Sequence, residues 1–203
     1  MSDDRTQTTS GEEELVQRAQ SGDSRALGAL YRRYVDRVYS FIEFRVREPS
    51  VAEDLTQEVF VQVLRGIGAM QWQGALGPWI LRIARNAVVD HWRRAGRRPE
   101  SALVSGRRRE EKGDGLLERI PAPGVAAELE AVEAFLDRRR IMEAAARLTE
   151  LQQQVVALRF AAGLSVRETA AAMGRSEGAV KNLQHHALRA LRRDLGLGKV
   201  TVD

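Results

Sequence analysis

The sequence contains no cysteine. That excludes a disulfide framework, a thiolate zinc site and a cysteine nucleophile. Histidine is nearly as scarce, with only His91, His185 and His186 present. Two of these are chain neighbours, so on a helix they project to different sides and make a poor metal pair. Neither a metal nor another cofactor is expected. No apolar run approaches the roughly 18–20 residues that span a bilayer. The opening segment, Met1 to Gly11, is polar and carries Asp3 and Asp4, unlike a secretion signal. The expectation is a cytoplasmic protein with no membrane insertion. Lysine is confined to positions 112, 181 and 199, so arginine carries nearly all the positive charge.

What is present is the composition of an ordinary globular protein: 203 residues, 43% hydrophobic and 30% charged. Thirty-two basic residues against 28 acidic ones leave a net charge of +4. Such an excess is informative only if it is segregated along the fold. Three stretches divide the chain. Residues 12–95 have helical periodicity, residues 96–124 have none, and residues 125–195 have it again. The middle stretch runs through Gly96, Pro99, Gly106, Gly113, Gly115, Pro121, Pro123 and Gly124 and holds Arg107-Arg108-Arg109. It has too little apolar surface to offset its ordering entropy, so it reads as a flexible linker between two domains. Residues 1–11 and 196–203 read as tails.

The pattern predicts an all-α protein of two small four-helix domains. In the first, helices are expected over residues 12–20, 24–47, 50–65 and 78–95. The second of these carries Leu27, Leu30, Tyr31, Tyr34, Val38, Phe41 and Ile42 at helical spacing. The third opens with Ser50-Val51-Ala52-Glu53, the pattern of a capping box. The fourth opens at Pro78, a good first-turn residue. In the second domain, helices are expected over 126–147, 150–161, 165–173 and 176–194. Ser165-Val166-Arg167-Glu168 is a further capping box.

The segment from Val166 to Leu183 has the pattern of a helix-turn-helix. Ala170 falls where the two helices cross closely, and Gly174 where the turn needs positive φ. Val180 and Leu183 fall where the second helix packs back on the first. On that second helix, Val180, Leu183, Ala187 and Leu191 share one face, at about 100° per residue. Gly178, Asn182, His185 and Arg189 lie opposite, flanked by Lys181 and Arg192 and preceded by Arg175 and Ser176. Those outward residues suit base edges or phosphates in a major groove. An alanine-rich helical hairpin with a solvated face is the plainer alternative.

On the fourth helix, Ile80, Ile83, Ala84, Ala87, Val88 and His91 form the expected buried stripe. Opposite lie Arg82, Arg85, Asn86, Val89, Arg93 and Arg94, with Trp92 beside them and Arg97 and Arg98 beyond. Basic residues interleaved with an aromatic suit single-stranded or opening DNA. The loop before it, Met70 to Ala75 with Trp72 and Gln73, could hold an unstacked base. Trp72 and Trp92 serve equally as partly buried core residues, and Trp79 is expected in the core. On the third helix, Val51, Leu55, Val59 and Val63 form the apolar seam, and Asp54, Gln57, Glu58 and Val61 share an exposed face. An acidic patch does not suit DNA. It fits an arginine-bearing protein partner or plain solvent.

Taken together, these elements resemble the extracytoplasmic-function sigma factors of the main bacterial sigma family. The stretch from Ala52 to Phe60 resembles the core-binding helix of region two, and Trp79 to Arg94 the promoter-melting and minus-ten-reading helix. Leu148 to Val156 with the helix-turn-helix resembles region four. The resemblance implies that Asp54, Gln57, Glu58 and Val61 dock on the β′ clamp helices of core RNA polymerase. It implies that region two captures a flipped minus-ten base, and that region four meets the β flap and reads the minus-thirty-five element as duplex. It also implies regulation by an anti-sigma factor. The loop at 70–78 lacks the phenylalanine and charged residue frequent in the family, and Gln184-His185-His186 stands where arginines are common. The rival reading is a stand-alone helix-turn-helix regulator. With no clustered carboxylates, phosphate loop or metal ligands, the chain is not expected to be an enzyme.

Overall fold

The computed structural model describes residues 3–96 and 138–196, and every regular element among them is helical. Helix α1 spans Asp3–Gln20, α2 Ser24–Val46, α3 Pro49–Gly66 and α4 Gly77–Arg94, with a 3-10 turn at Ile67–Ala69. Helical residues 138–145 (α5) are followed by α6 at Glu150–Val156. A π turn at Ala157–Ala161, α7 at Val166–Met173 and α8 at Glu177–Asp194 complete the order. The expected linker from residue 97 on, Arg97 and Arg98, the start of the helix expected from Ala126, and the tail from 197 lie outside the described residues.

Local chemistry sets the boundaries. The Asp23 carboxylate accepts from the amides of Arg25 at 2.8 Å and Ala26 at 3.3 Å and so caps α2. Arg18 grips the same carboxylate at 2.6 Å, closing the α1–α2 turn. These donors, the Arg18 guanidinium foremost, hold the Asp23 carboxyl below its ordinary range. Helix α1 begins at Asp3, earlier than the tail expected over residues 1–11: nothing before Gly11 breaks a helix, and Asp3 and Asp4 suit its positive end. Helix α3 does not use the capping box expected at Ser50. Its N-cap is Glu48, because Pro49 supplies a pre-set φ for the first turn. Thr149 and Gln152 instead form a capping box that opens α6.

Helix α2 is the centre of the packing. Val38, Phe41 and Ile42 are fully buried against α3 and α4. The same cluster continues into the second half of the chain through Val155, Leu158, Leu164, Met173 and Val180. The two halves expected from the sequence therefore share one core. Leu164 comes so near that a Cβ at Gly77 would meet its Cδ2 at 3.5 Å and the Tyr34 ring at 3.4 Å. A second, smaller cluster joins Ala144, Ala145 and Leu148 to Val156, Ala187 and Leu191.

Polar contacts lock this docking. Arg37 of α2 donates to the carbonyl oxygens of Ala162 at 2.7 Å and Gly163 at 3.3 Å. Arg45, buried at 3% side-chain exposure, pairs with Glu150 and donates to Gln153 Oε1 at 2.8 Å. Arg138 of α5 pairs with Glu43 of α2. Arg45→Ala should loosen the docking. Glu150 keeps 25% of its side-chain surface in water, so the cost should lie near or below the lower end of the about 3–5 kcal/mol seen for broken buried pairs. Chemical denaturation of the full chain checks the stability, and energy transfer between labels on α3 and α8 checks the separation. Arg139→Ala, which breaks the exposed pair with Glu143, should change neither.

Candidate nucleic-acid interface

The helix-turn-helix has the geometry its sequence requires. Ser165 Oγ accepts from the Glu168 amide at 3.1 Å, and Glu168 returns the bond to the Ser165 amide at 2.8 Å. This capping box starts α7. Gly174 ends it at φ 64° and ψ 40°, the left-handed region where a Cβ is penalised. Ala170 is buried at the helix crossing, and Val180, Ala187 and Leu191 face inward. Arg175, Ser176, Gly178, Lys181, Asn182, His185, Arg189 and Arg192 are all exposed. The Ser176 hydroxyl already accepts from the Ala179 amide as the α8 cap, so its first role is local. Gln184 is half-buried and bound by Arg159 at 3.0 Å, which takes it off the outer face.

Helix α4 presents Arg82, Asn86, Arg93 and Arg94 to solvent. Arg93 pairs with Asp90 at 3.1 Å, and Arg94 reaches Glu58 of α3 at 3.6 Å. Val89 is half-buried. Arg85 is also half-buried and donates at 3.4 Å to the Met173 carbonyl, one of the free acceptors at the end of α7. Trp92 departs from the expected basic face: it is buried at 8% exposure. It stands four residues after Val88 and eight after Ala84, so it continues the inward row of the helix. His91, expected in that row, is only half-buried. In the loop before α4, Gln71 and Gln73 are exposed, while Trp72 is half-buried against the core. Trp79 also packs half-buried on the core.

Helix α3 shows the opposite charge. Asp54, Gln57, Glu58 and Val61 are exposed along one side. Leu64 extends this side at 56% exposure, and Tyr31 of α2 stands nearby at 48%, edge-on to Phe60 with ring centroids 4.7 Å apart. Sequence reasoning missed Leu64 and counted Tyr31 among the apolar positions of its helix. Tyr31 falls one residue after the inward Leu30, which turns it away from the core by about 100°. Acidic and exposed apolar residues thus lie side by side on this face.

Two family models match: Sigma-70 region 2 over residues 30–98, and Sigma-70, region 4 over residues 144–193. The chain is 44% identical over 181 residues to the ECF RNA polymerase sigma factor BldN of Streptomyces coelicolor. That alignment covers 89% of this chain and 64% of the relative, so the chain spans less than two thirds of that relative's length. It is 31% identical over 168 residues to the ECF RNA polymerase sigma factor SigX of Bacillus subtilis, covering 83% of this chain and 82% of that one. This chain belongs to the extracytoplasmic-function sigma factors. The sigma fold also appears in the structure of the sigma factor RpoE with the anti-sigma factor NepR from Bartonella quintana. There the TM-score is 0.62 at 19% identity, covering 85% of this chain and 98% of that one. In this sigma factor, the region 2 match thus takes in the larger part of α2 with α3 and α4, and the region 4 match runs from within α5 to within α8. No helix of the described residues is long and apolar enough to cross a membrane.

The turn between α7 and α8 offers a direct check. Gly174→Ala forces a side chain into the left-handed region at φ 64°. The expected cost is about 1–2 kcal/mol, or roughly 2–8 °C in Tm. Differential scanning calorimetry of the full chain measures it.

Proposed function

We propose that this sigma factor is a dissociable initiation subunit that brings core RNA polymerase to promoters carrying minus-ten and minus-thirty-five elements. The observation that carries this reading is the segregation of charge on two adjoining helices. Helix α3 presents Asp54, Gln57 and Glu58 with Val61 and Leu64, while α4 presents Arg82, Asn86, Arg93 and Arg94. The first surface suits a basic protein partner, the β′ clamp helices of the polymerase. The second, with Arg85, Val89 and the loop bearing Trp72 and Gln73, suits the opened minus-ten strand. The buried Trp92 supports α4 from beneath instead of stacking on a base. The outer face of α8 suits duplex at the minus-thirty-five element, with region four resting on the β flap.

Each contact alone is weak. Joined through one chain, each raises the effective concentration of the next. The sigma factor performs no chemistry of its own and works in the cytoplasm, where the polymerase makes the bonds. Arg85 donates to the Met173 carbonyl through one nitrogen, so its remaining N–H groups are free to meet a phosphate beside the docked α7. An anti-sigma factor is the regulator that the family resemblance implies. A gel shift without polymerase separates this reading from the stand-alone regulator: this sigma factor should bind its promoter poorly by itself.

The double variant Asp54→Arg, Glu58→Arg should keep its helix content, since exposed charges matter by only about 0–1 kcal/mol each. Its affinity for core polymerase should fall sharply, because like charges then face each other. Unchanged affinity in a pull-down or anisotropy titration would return this face to solvent.

A second measurement separates the two DNA surfaces. Alanine at Arg82, Arg85 or Arg93 should depress transcription from a closed duplex more than from a template mismatched across the minus-ten element. Alanine at Arg189 or Lys181 should act alike on both templates. It should either relax base preference at one upstream position or lower the salt slope by about one. If the pre-opened template rescues Arg189→Ala and not the three α4 variants, the two roles are exchanged.

A further inference from the structure

Helix α1 precedes the segment matched by the region 2 model, which begins at residue 30. It nevertheless touches the loop between α3 and α4 at both ends. At the entrance, the Gln20 carboxamide donates to the carbonyl oxygens of Ile67 at 3.0 Å and Met70 at 2.7 Å. At the exit, Glu12 Oε2 accepts from the Leu76 amide at 3.1 Å. The other carboxylate oxygen, Oε1, accepts from the Tyr34 hydroxyl at 2.5 Å and lies 3.4 Å from Arg33 Nε. Between these anchors, Met70 and Leu76 are buried, whereas Gln71, Gln73 and Gly74 are exposed. The loop is therefore held at its ends, with Trp72 resting half-buried on the core between them and Gln71, Gln73 and Gly74 left in solvent.

The two anchors are chemically opposite, and each suits its task. Two carbonyl oxygens need two N–H bonds, which a carboxamide supplies without burying a charge. A backbone amide and a phenol need two acceptor oxygens, which a carboxylate supplies. Burying Glu12 to 5% exposure is costly unless its charge is met, and here a guanidinium, a hydroxyl and an amide meet it. Leu76 is also the N-cap of α4, and its own side chain provides no cap bond. Glu12 thus places a negative charge at the positive end of the helix that carries Arg82, Arg85 and Asn86.

We infer that Glu12 and Gln20 are positioning residues for promoter reading: from α1 they fix both ends of the 70–76 loop and the start of α4, and so set where the loop tip meets an unstacked base. This rests on the reading of that loop as part of the minus-ten surface. Neither residue touches DNA in this arrangement. Their effect passes through Ile67, Met70 and Leu76.

The test uses the full chain with core polymerase. Promoters are first selected from genomic DNA by run-off transcription with the native holoenzyme, then varied one base at a time across both elements. Gln20→Glu keeps the side chain's size but turns two donated bonds into oxygen–oxygen repulsion. Glu12→Gln keeps the shape of the buried group and removes one acceptor. Both should narrow discrimination at a minus-ten base by about tenfold, the equivalent of about 1.4 kcal/mol, while minus-thirty-five discrimination stays unchanged. Arg18→Ala, which loosens the other end of the α1 turn at Asp23, should leave minus-ten discrimination as it is.

Gln20 lies at an exposed helix end, so its variant stays folded and decides the matter even if the Glu12 variant melts. Amide exchange in the free protein gives a second readout. In Gln20→Glu, the amides of residues 71–75 should exchange faster than in the native chain, with those of α8 unaffected. The tip variant Gln71→Ala, Gln73→Ala separates the two levels of the argument. If it alters minus-ten discrimination and Gln20→Glu does not, the positioning role is wrong and the loop reading stands. If neither variant alters it, both are wrong.

Discussion

Helix α2 carries apolar residues around more of its circumference than one neighbour can cover. Val38, Phe41 and Ile42 have no exposed surface. Burying them takes α3 and α4 on one side and the π turn with Leu158 and Leu164 on the other. At about 25 cal/mol per Å² of apolar surface, leaving either side uncovered would weaken a chain of this size severely. That constraint draws the second half of the molecule onto the first. Arg37 and Arg45 then make the docking specific, because each finds its acceptors only when the π turn and α6 lie in one register. The Arg45–Glu150 pair contributes little net stability over an apolar contact, while Arg37 satisfies the carbonyls of Ala162 and Gly163.

The same docking sets how open each charged surface is. The outer residues of α8 and the acidic side of α3 stay open to solvent. Helix α4 is different, because α7 rests against it and Arg85 is held by the Met173 carbonyl. What strengthens the docking of the halves therefore also keeps this side of α4 covered.

Charge segregation gives the molecule its polarity. A net charge of +4 on 203 residues says little by itself. Distributed by the fold, it becomes a mixed acidic and apolar surface on α3 and an arginine-rich one on α4. Arg94 and Glu58 meet at the seam between them, 3.6 Å apart. With 65% and 43% of their side-chain surfaces exposed, the two are a weak and salt-sensitive pair.

Much of this could be read from the chain itself. Helical spacing located α2, α4 and α8, and Ser165 with Glu168 marked the start of α7. Gly174 marked a turn that needs positive φ, and the exposed side of α3 followed from its seam. These are local requirements, met within one or two turns of backbone, so the residues that satisfy them sit close together in sequence. Other features were only half legible. Trp92 stood among arginines, although its spacing from Ala84 and Val88 already put it on the inward row. Tyr31 lay in an apolar row but one residue past the inward Leu30, and it keeps 48% exposure edge-on to Phe60. Arg45 with Glu150 and Gln153, and Glu12 with Leu76, are partners across separations of 105, 108 and 64 residues. The sequence by itself determined most of the helices, the capping box of α7 and the family. The tertiary structure alone decided which polar groups meet, because a side chain with several possible partners is assigned one only when the core brings distant backbone into place.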